Sequence, residues 1–404
     1  MVHPNGWQLR ATLIVPALLA LGGCGGDVYC IPGVPCGPVP SFAEPQPAPV
    51  TTAQRFAAIG LGHNHSCMLT AAGATWCWGD NQYGQLGAVS GETCVEGAGL
   101  PCSSLPLAVA GGAAFASLAA AVRHSCGLTP AGAAWCWGFG LGGQLGDGSR
   151  TNSLVPLQVG GGHVFVQLSL SLFSDHNCGL QADGSLWCWG TGLGYGSTGP
   201  APSEVPARWT EASAVAFRQI ALGEAHACGL DAAGQAWCIG NNGYGQLGDG
   251  GSASSKLPLA VAGARPFVEI VAGPSHNCAL DVVGQAWCWG LGNAVGDGAG
   301  AEAPPRRVPV AVAGSQRFVH LTAGAGRTCG LTAGGGAWCW GDGWNGVLGD
   351  GTTDHRSTPV AVAAPALVAL GAGGVVTCGI DTTGQAWCWG GNESGAVGRP
   401  VVGH

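Results

Sequence analysis

Seven cysteines along this chain are each followed ten residues later by a second cysteine, and the second lies in a Trp-Cys-Trp-Gly tetrapeptide or a close variant of it. The pairs are Cys67/Cys77, Cys126/Cys136, Cys178/Cys188, Cys228/Cys238, Cys278/Cys288, Cys329/Cys339 and Cys378/Cys388. Successive first cysteines are 59, 52, 50, 50, 51 and 49 residues apart, so one unit recurs seven times. A period of this length belongs to repeat architectures, in which each unit buries its faces only against its neighbours.

The unit at 264–312 is the cleanest. Residues 267–273 (FVEIVAG) and 276–281 (HNCALD) alternate, Gly284 marks a turn, and 285–290 (QAWCWG) and 308–312 (VPVAV) follow. That is four short strands joined by turns, the content of one propeller blade. A glycine recurs six residues after every first cysteine (Gly73, Gly132, Gly184, Gly234, Gly284, Gly335, Gly384), and a three-residue hairpin loop ending on it sets the two cysteines opposite each other. Opposed residues of an antiparallel pair stand roughly 4.5 to 5.5 Å apart, within reach of a disulfide. Zinc would ask for shorter spacings and a compartment without oxidant.

Thirteen of the 16 tryptophans flank the second cysteines. Strand alternation therefore puts disulfides on one side of each sheet and indoles on the other, which predicts aromatic packing from blade to blade. The chain is 9% charged, with 75 glycines, 25 prolines and a net charge of -8, and Lys256 is its single lysine. Such a surface offers no cationic footprint for nucleic acid.

Residues 1–23 carry Arg10, an apolar run at 11–21 and Leu21-Gly22-Gly23 before Cys24. The run is too short to span a bilayer but suits a signal peptide. Its end resembles the bacterial lipobox, which implies lipidation of Cys24, and Gly25 after it resembles outer-membrane sorting. Setting Cys24 apart from the 19 cysteines leaves the seven repeat pairs with Cys30/Cys36 and Cys94/Cys102, all expected as disulfides in an exported chain. The expected organisation is signal peptide 1–23, Pro/Gly-rich tether 24–46, propeller 47–398 and a short tail 399–404.

The segments 62–87 (GHNHSCMLTAAGATWCWGDNQYGQLG) and 223–250 (GEAHACGLDAAGQAWCIGNNGYGQLGDG) resemble the repeat of the regulator of chromosome condensation family. The resemblance covers residues 47–398 and implies a closed, all-β, seven-bladed propeller. The last unit lacks the Pro-x-x-Val strand of the others, and Pro47 to Val50, followed by Phe56, matches it. Residues 47–52 are therefore expected to close the last blade, which removes a free sheet edge; residues 399–402 are the competitor for that edge. Two units are degenerate after their third strand: 191–199 replaces the N-x-x-G-Q-L-G loop, and unit five shortens it to 292–296.

A histidine stands two residues before the first cysteine as His65, His124, His176, His226 and His276, and becomes Arg327 and Val376 in the last two units. Hydrogen bonding that organises the turn is expected of it, since a ring spreads its positions too widely for a metal shell. The Gly-Asp-Gly steps at Asp147, Asp249, Asp297 and Asp350 read as turns because the further oxygens of a calcium site are missing. No nucleophile elbow, zinc-protease motif or phosphate loop is present, so no enzyme activity and no cofactor are expected. The departure from pattern is the insertion 90–103, stapled by Cys94/Cys102 and bearing Glu92 and Glu96; with Tyr83, Tyr195, Tyr244 and Trp344 it supplies the candidate partner-binding residues. The resulting expectation is a monomeric lipoprotein scaffold for an extracytoplasmic protein, touching the membrane only through its lipid. Two rivals are an enzyme inhibitor like the secreted propellers that inhibit β-lactamase, and a glycan binder. Nucleotide exchange, known among nuclear members of the resembled family, has no matching residues here.

Overall fold

Each hairpin forms because its glycine takes a backbone conformation closed to other residues: Gly73 has φ +81° and the six equivalents lie between +78° and +83°. The Gly73 N–H donates to the Thr70 carbonyl at 2.9 Å, and the resulting register pairs Cys67 directly with Cys77. The same register pairs Cys126 with Cys136, Cys178 with Cys188, Cys228 with Cys238, Cys278 with Cys288, Cys329 with Cys339 and Cys378 with Cys388. All seven pairs form disulfides, with Cα atoms 4.1 Å apart, closer than strand pairing alone leads one to expect. None of these cysteines is more than 3% exposed, so each staple is interior to the blades.

The even alternation expected of the third strand holds toward the second strand but not toward the fourth. Just past the second cysteine the pairing with the fourth strand slips, between Cys188 and Gly190, Cys238 and Gly240, and Cys339 and Gly341, and likewise after Cys77, Cys136 and Cys288. The glycine at the slip has a positive φ, +92° at Gly190, +115° at Gly240 and +103° at Gly341, and so accommodates an irregularity that a side chain would resist. Cys94–Cys102 is an eighth disulfide, with a Cα separation of 5.7 Å. In this computed structural model the described residues are 43–94, 99–191 and 202–400, with the backbone of a separate pair of short strands, Val28–Tyr29 and Gly37–Pro38. Cys24, Cys30, Cys36, Glu96 and Tyr195 lie outside the described residues.

The units are antiparallel sheets, four strands in chain order, as in Phe267–Ala272, His276–Asp281, Ala286–Gly290 and Arg306–Ala311. Seven of them make a seven-bladed propeller. The first blade carries an additional two-residue strand, Glu92–Thr93, outside Pro101–Ala108. Because neighbouring strands alternate in direction, the loops between first and second and between third and fourth strands share one face. The cysteine hairpins and the links between blades share the other. We call these the loop face and the hairpin face.

The last blade is closed by an N-terminal strand, Ala43–Pro49, against Ala386–Gly391. It starts four residues earlier than the expected 47–52, because an irregularity between Glu44 and Ala48 lets Ala43 and Glu44 also pair, with Gly391 and Gly390. Arg399 does not take this edge; its guanidinium stands 3.5 Å from Glu44, and the Thr51 N–H donates to the Gly398 carbonyl.

Between blades, the disulfide of one meets the second tryptophan of the next. Cys67, Cys77 and Trp137 share a cluster, as do Cys126, Cys136 and Trp189, then Cys329, Cys339 and Trp389, and Cys378, Cys388 and Trp78. The Cys178–Cys188 staple meets Ile239 instead, and the Cys228–Cys238 staple meets Trp289. Trp78, Trp137, Trp289, Trp340 and Trp389 are completely buried. Each such indole removes roughly 200 Å² from water, worth about 5 kcal/mol of transfer free energy. The blade-to-blade aromatic packing expected from strand alternation is therefore the packing found, with the seam after blade three as the exception.

Candidate interaction surface

The histidines sit in the seams between blades. Nε2 of His124 donates to Oδ1 of Asn177 at 2.7 Å and that of His226 to Oδ1 of Asn277 at 2.9 Å; His65 and His276 bond in the same way to Ser125 and Thr328. The rings of His65, His226 and His276 pack on the α-carbon of a glycine three residues earlier, so close that a Cβ on Gly62 would fall 2.2 Å from His65. Burial, reinforced for some by neighbouring histidines, pushes the pKa of His65, His176 and His276 down to about 3 and that of His226 to about 4. His65, His124, His226 and His276 are thus neutral donors committed to their own seams, whereas His176, whose Nε2 has no hydrogen-bond partner among the described residues, bonds through Nδ1 to Ser174. Among the described residues, the one cluster with metal-ligand spacing is Glu92, Cys94 and Cys102, and its cysteines are joined in a disulfide.

At Gln85, Gln144 and Gln246 the partner in the next blade passes the bond on to a loop carbonyl, which also accepts the buried indole, whereas beside the shortened loop 292–296 Trp340 Nε1 has no partner among the described residues. Gln85 O receives Ser125 Oγ and Trp137 Nε1, both at 2.9 Å; Gln246 O receives Asn277 Nδ2 at 2.8 Å and Trp289 Nε1 at 3.0 Å. The glutamine of the N-x-x-G-Q-L-G loop therefore acts through its backbone. Unit three lacks that loop, and the two donors that would address it are also missing: Ala227 stands where the others have a polar residue and Ile239 where they have tryptophan. Trp209 and Ala212 pack there instead. In blade six Arg327 replaces the histidine, is fully buried, and donates to the carbonyls of Gly373, Gly374 and Val376 and to the Thr377 hydroxyl. Burial lowers its pKa to about 9.

The innermost strands enclose a central channel with a cavity of about 330 Å³. Half of its wall carries Gln167, Gln219, Glu269 and His320 at equivalent positions, and each bridges to the backbone of the next blade: Gln167 to Ile220, Gln219 to Ile270, Glu269 to Leu321 and His320 to Leu370. The other half is Ala58, Ser117 and Ala369 at that level. His320 Nδ1 lies 2.7 Å from Glu269; burial lowers the His320 pKa, but the hydrogen bond and charge of Glu269 and the Leu370 carbonyl more than offset this, so it is raised. Over the loop-face mouth, Leu172 lines the channel and Phe173 packs edge-on against His63, with ring centroids 5.5 Å apart. Sequence reasoning missed this ladder, although four long polar side chains at one repeat position were the signal.

The stapled insertion lies on the loop face of blade one. Glu92 is exposed, and its Oε2 accepts the Ser104 N–H at 2.8 Å, so this carboxylate braces the insertion that carries it. The aromatic candidates are not brought together: Tyr83 packs on Phe139 at 4.9 Å under the Arg123 guanidinium, which also stacks on Phe139 and pairs with Asp175. Tyr244 and Trp344, 48% and 41% exposed, belong to separate blades. The four Gly-Asp-Gly aspartates accept backbone N–H groups two residues on, from Ser149, Gly251, Ala299 and Thr352, which is turn chemistry. Eight disulfides suit a compartment that oxidises thiols, and among the described residues no helix is long and apolar enough to cross a membrane.

Comparison with known proteins agrees with the geometry. A family model described as the regulator of chromosome condensation (RCC1) repeat matches residues 233–280, and a second model of the same repeat matches 56–85 and 217–246. The probable E3 ubiquitin-protein ligase HERC4 of Homo sapiens is 39% identical over 88 residues, 22% of this chain and 8% of the ligase. The ultraviolet-B receptor UVR8 of Arabidopsis thaliana is 33% identical over 103 residues, 25% of this chain and 21% of the receptor. This chain thus aligns with only a small part of either relative. Among solved structures, human WBSCR16 superposes with a TM-score of 0.72 at 18% identity, covering 90% of this chain and 94% of that one. Yeast RCC1 (Prp20), in its complex with Kap60, gives 0.67 at 20% identity, covering 83% and 80%. At these identities the likeness is one of fold.

Proposed function

We propose that this chain, a seven-bladed propeller built from regulator of chromosome condensation repeats, is a non-enzymatic lipoprotein of the bacterial cell envelope whose loop face holds an extracytoplasmic protein partner. The observation that carries this reading is the insertion 90–103, among the described residues the one loop that is cross-linked by its own disulfide and braced by its own carboxylate. A recognition loop fixed before the encounter loses little conformational entropy on binding, and the seven hairpin staples give it a rigid base. The lipobox-like residues before Cys24 support an anchor, and the disulfides support export. A glycan platform is less well supported, since Tyr83, Tyr244 and Trp344, although all on the loop face, belong to separate blades and Tyr83 is taken up by Phe139 and Arg123.

Crosslinking in intact cells followed by capture from envelope extracts tests the binding role. Deleting 91–101 with Cys102→Ser should remove the captured partner while leaving the fold intact; unchanged capture would sink the reading. Labelled palmitate should enter the wild-type chain and not Cys24→Ser, and incorporation into both would remove the lipoprotein assignment.

A further inference from the structure

Three hairpins share a device absent from blade one. In blades four, five and seven a glutamine seven residues after the first cysteine folds over its hairpin and donates to two carbonyls. Gln235 reaches those of Ala236 and Val261, Gln285 those of Ala286 and Val312, and Gln385 those of Ala386 and Val50, all between 2.8 and 3.1 Å. An aspartate three residues after the cysteine completes the device: Asp231, Asp281 and Asp381 accept the indole N–H of the first tryptophan.

Blade one has Thr70 in place of the aspartate and Ala74 in place of the glutamine, so no side-chain amide reaches the equivalent carbonyls of Thr75 and Val109. A cavity of about 170 Å³ occupies this place, lined by Ala74, Thr75, Trp76, Val109, Gly112 and Ala113. That is more than ten times the smallest space that holds one water. Blades two, three and six also lack the glutamine, but they have Ala134, Leu186 and Ala337 where blade one has Thr75. Thr75 is 5% exposed, and its Oγ1 has no hydrogen-bond partner among the described residues. The wall of the slot thus combines an indole, small apolar side chains and a set of acceptors that the sister blades satisfy with a carboxamide.

We propose that this slot on the hairpin face is a binding site for a primary carboxamide, the group that the sister blades supply from within. The NH₂ of the ligand donates to the Thr75 and Val109 carbonyls, and its carbon stem lies between Trp76 and Ala113. The source is a free small amide or a glutamine side chain of another polypeptide. The site is independent of the loop-face reading above.

The experiment is saturation-transfer NMR on the full propeller with propionamide, N,N-dimethylpropionamide, and a capped Gly-Gln-Gly peptide. Propionamide should receive saturation and the dimethyl compound, which has no N–H, should not; stronger binding by the peptide than by propionamide assigns the source to a polypeptide, and the reverse to a free amide. Ala74→Gln should fill the slot from inside, keep or raise the melting temperature, and weaken binding by about tenfold or more, the scale expected on losing hydrogen-bonded contacts. Ala113→Leu closes the slot from the other wall and serves if Ala74→Gln folds poorly. Equal binding of the two amides, no binding of any primary amide, or binding unaffected by either substitution would overturn the proposal.

Discussion

Unfolding this protein near pH 5 should take up about four protons from one set of residues, the seam histidines. His65, His124, His176, His226 and His276 are buried and neutral in the fold, with pKa values lowered in every case, to about 3 for three of them and about 4 for His226. In the unfolded chain each returns to its ordinary value near 6.5. Below that value the unfolded state binds protons that the folded state refuses, so stability is complete above about pH 6.5 and falls as the pH drops toward the folded pKa values. Each histidine contributes a slope of about 1.4 kcal/mol per pH unit, and the four lowered to about 3 or 4 together contribute about 5 kcal/mol per unit between roughly pH 6 and 5, to which His124 adds in the same direction. His320 acts in the opposite sense, since its pKa is raised, but it is one group against five. Urea unfolding at a series of pH values, with direct titration of the protons absorbed at about pH 5, measures the slope. His226→Gln, which retains an amide to meet Asn277, should remove about one proton from the uptake. An uptake of fewer than about two protons, or one indifferent to His226→Gln, would refute the argument that the seams are built on neutral imidazoles.

Trp289→Ala should destabilise by about 3 to 5 kcal/mol in urea, since it empties a fully buried seam and leaves the Gln246 carbonyl with one donor, whereas Trp287→Ala, only partly buried on the same face of the strand, should cost clearly less. Replacing both Cys278 and Cys288 by serine should lower stability by roughly 3 kcal/mol, the chain-entropy value for so short a loop. Removing residues 43–49 should leave the Ala386–Gly391 strand as an open edge, seen as fast amide exchange there and as concentration-dependent association; protection unchanged from wild type would count against closure by this strand.

The parts of the fold legible in the sequence were those fixed inside one unit. The ten-residue spacing and its glycine determined the hairpin register, and strand alternation determined that indoles face disulfides. The slip after Cys188, Cys238 and Cys339 was not foreseen, because the glycine that permits it reads in sequence as the plain end of a Trp-Cys-Trp-Gly strand. What else stayed hidden lay between units. The Gln246 carbonyl serves Asn277 and Trp289 from the preceding blade, and no spacing within a repeat reveals that a backbone oxygen is shared across a seam. Aligning the units against their predecessors would have exposed it, because the loop missing at 191–199 is followed by the loss of both donors at Ala227 and Ile239. The closing strand was located but started late, since Glu44 and Ala43 pair only through an irregularity that composition does not announce. For the surface, the insertion was visible through its cysteines, whereas the separation of Tyr83 from Tyr244 and Trp344 depended on the curvature of the ring.

The strand that shuts the ring also fixes the side from which the chain enters it. Ala43 pairs with Gly391, at the end of a third strand where the loop face lies, so the polypeptide arrives at the rim that bears the stapled insertion. Anything docked over that insertion would share the rim with the incoming strand, so changes at Ala43 and Glu44 should be felt by whatever binds there.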